Sequence, residues 1–195
     1  YTDALGDFVK VAGHIPLPPK WTLGYWWSRY WEFTDDELLD LGREMKERGI
    51  PMDVMVIDMD WHYTYKDMHK RLGPDDFGRR RGWTGYTWNR DLFPDPEAFL
   101  GELHKMGYKT ALNLHPASGI RPYEECYPSF VADYLSRTDD YDGPKDYIFG
   151  EGGYLYAGNE KPVGRPGYRA SVPYRMSQKE WAEAYFNSVI HPLER

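Results

Sequence analysis

The stretch Met55-Val56-Ile57-Asp58-Met59-Asp60-Trp61-His62 concentrates groups able to do chemistry. Val54 to Ile57 is an apolar run that stops at two acids, an indole and an imidazole. Side chains alternate along a strand, so Asp58, Asp60 and His62 share one face if the extended geometry persists past Ile57. Carboxylates accept several hydrogen bonds from hydroxyls, and flat aromatic rings offer apolar faces. That combination suits a polyol such as a sugar. Asp58 leads because an acid closing a buried strand is costly unless it is paired or serves a site. Asp60 reads equally as a ligand contact or as the partner of an arginine such as Arg29. His62 reads as packed into a loop. Asn113 and His115 alternate at the end of a second apolar run, where they either meet a ligand or satisfy backbone groups.

Repeated β-α units must position these residues. The spacing of Leu5, Phe8, Val9 and Ala12 predicts a first helix ending at Gly13. Pro16, Pro18 and Pro19 then force an extended connector, and residues 21–27 read as the first strand. Thr34-Asp35-Asp36-Glu37 is a capping box, opening a helix that buries Leu38, Leu41 and Met45. Residues 53–58 are the second strand. Asp95-Pro96-Glu97 starts a helix with Phe99, Leu100, Leu103 and Met106 on its buried stripe. Residues 109–114 are the third strand, and Ser177-Gln178-Lys179-Glu180 opens a last helix.

Such an order implies a parallel sheet. The helix-to-strand connections are short, whereas the connections after Asp58 and after His115 run to about Pro94 and Met176. Long loops at the carboxyl ends of strands mark the catalytic face of a (β/α) barrel. The glycine-rich residues 141–168 read as a lid or an inserted hairpin.

Composition narrows the function. The 195 residues carry a formal charge of -7, with an isoelectric point near 5.4, which argues against a nucleic-acid partner. Arg79-Arg80-Arg81 reads as a solvated loop. The single cysteine, Cys126, excludes an internal disulfide framework and a multi-cysteine zinc site. No apolar run approaches the ~20 residues that span a bilayer, so no membrane partner is expected. Aromatic residues make up 17% of the chain and crowd the presumed loops, as at Trp83, Tyr86 and Trp88. Asp58, Asp60, His62 and His115 could form an oxygen and nitrogen ligand set. The chain lacks a His-x-His pair and a His-Glu-x-x-His motif, and no metal or cofactor is expected. Phosphate-loop and Gly-x-Ser-x-Gly signatures are absent from the sequence. The chain does not begin with Met and stops just after a helical pattern, so a piece of a larger protein is expected.

Several motifs, in order and at matching spacing, resemble glycoside hydrolase family 31, the α-glucosidase and α-xylosidase family. They are Pro18-Pro19-Lys20-Trp21-Thr22-Leu23-Gly24-Tyr25-Trp26, Ile57-Asp58-Met59-Asp60-Trp61, the run from Gly85-Tyr86-Thr87-Trp88 to Asp95-Pro96, and Leu112-Asn113-Leu114-His115-Pro116. The residues from Tyr185-Phe186 to His191-Pro192 resemble the helix before the family's fourth strand. The resemblance implies a (β/α)8 TIM barrel of which residues 1–195 hold the first three β-α units, with a loop or insertion at about 127–169. It implies a retaining glycosidase acting on terminal α-glucosides, α-xylosides, α-galactosides or α-N-acetylgalactosaminides. The family's catalytic aspartates sit on the fourth strand and after the sixth, so none is expected in this chain. The resemblance assigns Asp58, Asn113, Trp26, Tyr30 and Trp61 to the sugar pocket. Asp60 and His115, which aligns with a variable polar position of the family, join the candidate pocket through their places at the strand ends. The partners it implies are the carbohydrate and the remaining barrel strands. The competing expectations are an inactive carbohydrate-binding remnant and a metal-dependent barrel hydrolase.

Overall fold

A computed structural model describes residues 1–13, 15–73, 84–116, 119–121, 123–138, 147–150, 153–156 and 174–194. Arg79-Arg80-Arg81, Trp83 and most of the glycine-rich stretch 141–168 lie outside the described residues. Three short strands, β1 (Trp26–Trp27), β2 (Val54–Ile57) and β3 (Lys109–Leu112), form one parallel sheet in the order β1-β2-β3. Trp26 pairs with Val54, which pairs with Lys109, and the ladder continues to Ile57 opposite Leu112.

Parallel strands need crossovers, and helices supply them. After α1 (Thr2–Ala12), α2 (Asp35–Glu47) links β1 to β2. Between β2 and β3 lie α3 (Tyr65–Leu72) and α4 (Pro96–Lys105). The predicted start signals operate as expected. Thr34 and Glu37 form a reciprocal capping box on α2, and Asp95 caps α4 ahead of Pro96. One face of the sheet, Met55 and Ile57, packs with Leu38, Leu39, Phe99 and Leu103 of α2 and α4. Burying each such side chain contributes about 1.5–3 kcal/mol. The opposite face carries Val54, Val56 and, one step on, Asp58.

Three expectations need correction. The first strand is shorter than residues 21–27, because Lys20–Leu23 winds into a 3-10 turn. Thr22 Oγ1 donates to the Pro19 carbonyl and Trp26 Nε1 to the Thr22 carbonyl, which holds that turn. The second and third strands likewise end at Ile57 and Leu112, short of residues 58 and 114. The helix α1, by contrast, forms where expected and ends at Gly13, with none of its residues buried and Phe8 59% exposed.

The long connections also hold more regular structure than the sequence announced. Within the expected loop at 127–169, α5 (Tyr127–Arg137) forms. The strands β4 (Tyr147–Gly150) and β5 (Gly153–Tyr156) pair antiparallel, in line with the inserted hairpin expected at 141–168. Helix α6 (Lys179–Tyr185) passes through a π-helical turn into α7 (His191–Leu193). Helices α5 and α6 build a second core from Phe130, Tyr134, Trp181, Ala184, Tyr185 and Val189, with Tyr86 and Ile120 from the loops.

Candidate functional site

Asp58 and Asn113 meet at the carboxyl edge of the sheet. The β2–β3 register places them side by side one step past Ile57 and Leu112. Asn113 donates its backbone N–H to the Ile57 carbonyl at 3.2 Å, which extends the ladder. Its side-chain Nδ2 donates to Asp58 Oδ1 at 2.6 Å, and the Met59 amide donates to the same oxygen at 2.8 Å. Both bonds fall on Oδ1. Among the described residues no hydrogen bond reaches Oδ2 of this half-buried carboxylate. Asp58 lines a narrow cleft together with Arg29, Trp31, Phe33, Asp60 and Trp61, floored by the core residues Leu38, Ile57 and Phe93.

The chain does not stay extended beyond Asp58. Asp58 caps a 3-10 turn, Met59–Trp61, so the expected alternation of Asp58, Asp60 and His62 on one face is broken. Asp60 remains at the cleft, half-buried, and burial with Glu32 nearby raises its carboxyl above the usual range. Among the described residues it forms no ion pair with Arg29, whose guanidinium lies 5.5 Å from the Trp31 ring centre.

Trp61 is fully buried. Its indole N–H donates to the Asn113 carbonyl at 2.8 Å, and its ring lies edge-on to Trp88. It therefore braces the rim from behind. His62 is also buried, with Nδ1 3.1 Å from the Tyr63 carbonyl oxygen. Its ring meets His115 edge-on, centroids 5.6 Å apart. Burial depresses the His62 imidazole to about 4, the Tyr63 contact opposing. Burial also lowers half-buried His115, while the Asp58 charge pulls it back up.

Trp26 and Tyr30 sit apart from these residues. Trp26 shares a sheet face with Val54 but stands level with it, four residues before Asp58 in the register. Its ring packs on Trp21, and it is 42% exposed. Tyr30 follows the end of β1 and is 62% exposed. Neither lines the cleft, whereas their neighbours Arg29, Trp31 and Phe33 do.

One polar residue escaped sequence reasoning. Glu124 is 3% exposed and gathers four hydrogen bonds from Thr84, Gly85, Tyr86 and Thr87. Burial raises its carboxyl, and the donors oppose that shift. An acid between Arg121 and Tyr127 carries no local signal of a partner 37 to 40 residues earlier. Cys126 is half-buried, and burial pushes its thiol well above its ordinary range, which disfavours the reactive thiolate. Among the described residues, no group of three or more His, Cys, Asp and Glu is placed to hold a metal ion. No helix among them is long and apolar enough to cross a membrane.

A parallel sheet with crossover helices and long loops at its carboxyl edge fits a segment of a (β/α) barrel, and the carboxylate-amide pair lies on the edge where such barrels carry their sites. The family model for the glycosyl hydrolases family 31 TIM-barrel domain matches residues 15–171. The chain belongs to that family.

An alpha-xylosidase of Saccharolobus solfataricus is 34% identical over 123 residues, covering 61% of this chain and 15% of that enzyme. Alpha-glucosidase 2 of Bacillus thermoamyloliquefaciens is 29% identical over 114 residues, covering 58% and 12%. Among solved structures, a Flavobacterium johnsoniae family 31 dextranase complexed with glucose superposes with a TM-score of 0.57. It is 18% identical, over 96% of this chain and 19% of its own. A Xanthomonas citri family 31 alpha-xylosidase gives 0.55 at 18% identity, over 92% and 16%. The matched region is thus a small part of each relative, and the superpositions support the barrel fold.

Proposed function

We propose that this chain forms part of the catalytic barrel of a retaining glycosidase that acts on terminal α-linked sugars, and that its role is to bind and orient the sugar. The observation that carries this is the Asp58–Asn113 pair. One carboxylate oxygen is anchored by Asn113 and Met59, and Asp58 lines the cleft with Trp31, Phe33 and Trp61. An anchored carboxylate accepts hydroxyl protons in a fixed direction without reorganising, which favours a polyol over water. Charge-assisted bonds of this kind contribute about 1.5–3 kcal/mol each.

In this reading Asp58 accepts from sugar hydroxyls, and Asn113 holds Asp58 in place. Asp60 and Arg29 border the same cleft, Trp61 supports it, and His115 stands against the His62 ring outside the cleft lining. Trp26 and Tyr30 are retained as contacts that need the remaining barrel strands to close over them. The carboxylates that break the glycosidic bond belong to those later strands. Membership of a family whose relatives include an alpha-xylosidase and an alpha-glucosidase favours α-xylosides and α-glucosides.

The test is the stereochemistry of turnover by the full-length protein. NMR of a p-nitrophenyl α-glycoside digest should show the α-anomer of the free sugar appearing first. Absence of turnover across α-glucoside, α-xyloside, α-galactoside and α-N-acetylgalactosaminide, or first appearance of the β-anomer, would refute the proposal.

A further inference from the structure

Glu124 is a buried carboxyl for which sugar recognition has no direct use. It lies between β3 and α5, and its Oε1 accepts from Thr84 Oγ1 at 2.5 Å and from the Gly85 amide at 3.0 Å. Its Oε2 accepts from the Tyr86 amide at 3.2 Å and from Thr87 Oγ1 at 2.6 Å. Thr87 Oγ1 also accepts from the Glu125 amide at 2.9 Å. Removing a carboxylate from water costs several kcal/mol, and four converging donors offset that cost. The donors all come from the loop that follows β2. One carboxylate thus ties together two loops that leave neighbouring strands at the carboxyl edge.

The clamped segment presses on the rim. Gly85 has φ +75°, and a Cβ there would lie 2.5 Å from His62 Nε2, so its backbone abuts the imidazole. The Thr87 carbonyl accepts from the Tyr63 amide, and the Asn89 amide donates to the Trp61 carbonyl. His62 is thereby held edge-on to Trp61 and His115, at 5.1 and 5.6 Å between ring centroids. Trp61 in turn fixes the Asn113 carbonyl. A continuous line of contacts runs from Glu124 through Gly85 and His62 to the residues beside Asp58.

We infer that Glu124 is a positioning residue for sugar binding: by clamping residues 84–87 against His62, it sets where His115 and Asn113 stand beside Asp58. This rests on the sugar-binding role proposed above. Glutamine is the discriminating substitution. It fills the same space, but its NH2 faces two of the four donors, and a backbone N–H cannot turn away. One side of the clamp then opens without leaving a cavity.

In the full-length protein, Glu124→Gln should raise KM for the best α-glycoside about three- to tenfold while kcat stays within about twofold. Thr87→Val should shift KM the same way, and the double variant should raise it by less than the product of the two single effects. The imidazole NMR signals of His62 and His115, assigned by substitution, should move in Glu124→Gln. Unchanged KM, or a loss of active enzyme at unchanged KM, would assign Glu124 to stability alone and overturn the inference. If Glu124→Gln fails to fold, Thr87→Val decides by the same measurements. If the wild type hydrolyses no α-glycoside, the sugar reading fails separately. The histidine signals then judge the clamp itself, and unmoved signals overturn it.

Discussion

The two cores of this chain are built on different physics. Met55 and Ile57 pack on Leu38, Phe99 and Leu103, a layer of mostly aliphatic contacts between sheet and helices. Such contacts are non-directional, and they degrade in proportion to the area removed. Beyond the strand ends, Tyr86, Phe130, Trp181 and Tyr185 stack around loops that also bury Glu124, Thr84 and Thr87. There the aromatic packing is joined to directional polar bonds, and a buried network fails when one member goes unsatisfied. The first region holds the strands in register, and the second holds the loops over the strand ends. The Asp58–Asn113 rim lies at their junction, taking its spacing from the sheet and its backing from the loops.

Gly85 is where that contrast can be broken most severely. Gly85→Ala adds a Cβ against His62 and places a side chain at positive φ. Overpacking and left-handed strain together should cost about 2–5 kcal/mol. Ile57→Val, one methylene removed from the sheet core, should cost about 0.5–1.5 kcal/mol. Denaturant midpoints of the two variants would measure the difference, and equal midpoint shifts would erase the distinction between the regions.

An effect of size comparable to the Gly85 substitution comes from pH. Folded His62 takes up its proton only near pH 4, against 6.5 for an ordinary histidine. Between those values the unfolded chain binds more protons. Stability is therefore complete above pH 6.5 and falls as pH drops toward 4, by on the order of 3 kcal/mol from this residue. Unfolding free energies measured from pH 7 to pH 4, with the His62 imidazole followed by NMR, should show both changes. A His62 signal titrating near 6.5 would place it outside the buried seam.

What the sequence disclosed follows the same division. The capping box at Thr34, the Asp95-Pro96 helix start and the apolar run into Asp58 were legible because each is a local pattern with one physical cause. The parallel sheet followed from their alternation, and Asp58 with Asn113 from the ends of two strands. The 3-10 turn after Asp58 was not legible, because a short polar run can continue a strand or leave it. Trp26 and Tyr30 were placed by resemblance, and the register sets Trp26 four residues short of the rim. Helix α5 was hidden within a stretch that resembled nothing, although Tyr127, Phe130 and Tyr134 carry helical spacing. Glu124 was invisible for a stronger reason: its partners lie far away in sequence and include two backbone amides.

The most direct test of the rim as a sugar site is the kinetics of Asp58→Asn in the full-length protein. Asparagine keeps an oxygen where the Met59 amide and Asn113 Nδ2 donate, so the fold should persist, with the unfolding midpoint close to wild type. The lost charge should lower kcat/KM on the best α-glycoside about tenfold or more, since bonds to a carboxylate contribute about 1.5–3 kcal/mol and more where they tighten in the transition state. Wild-type kcat/KM in a folded Asp58→Asn enzyme would contradict the claim and remove Asp58 from the sugar pocket.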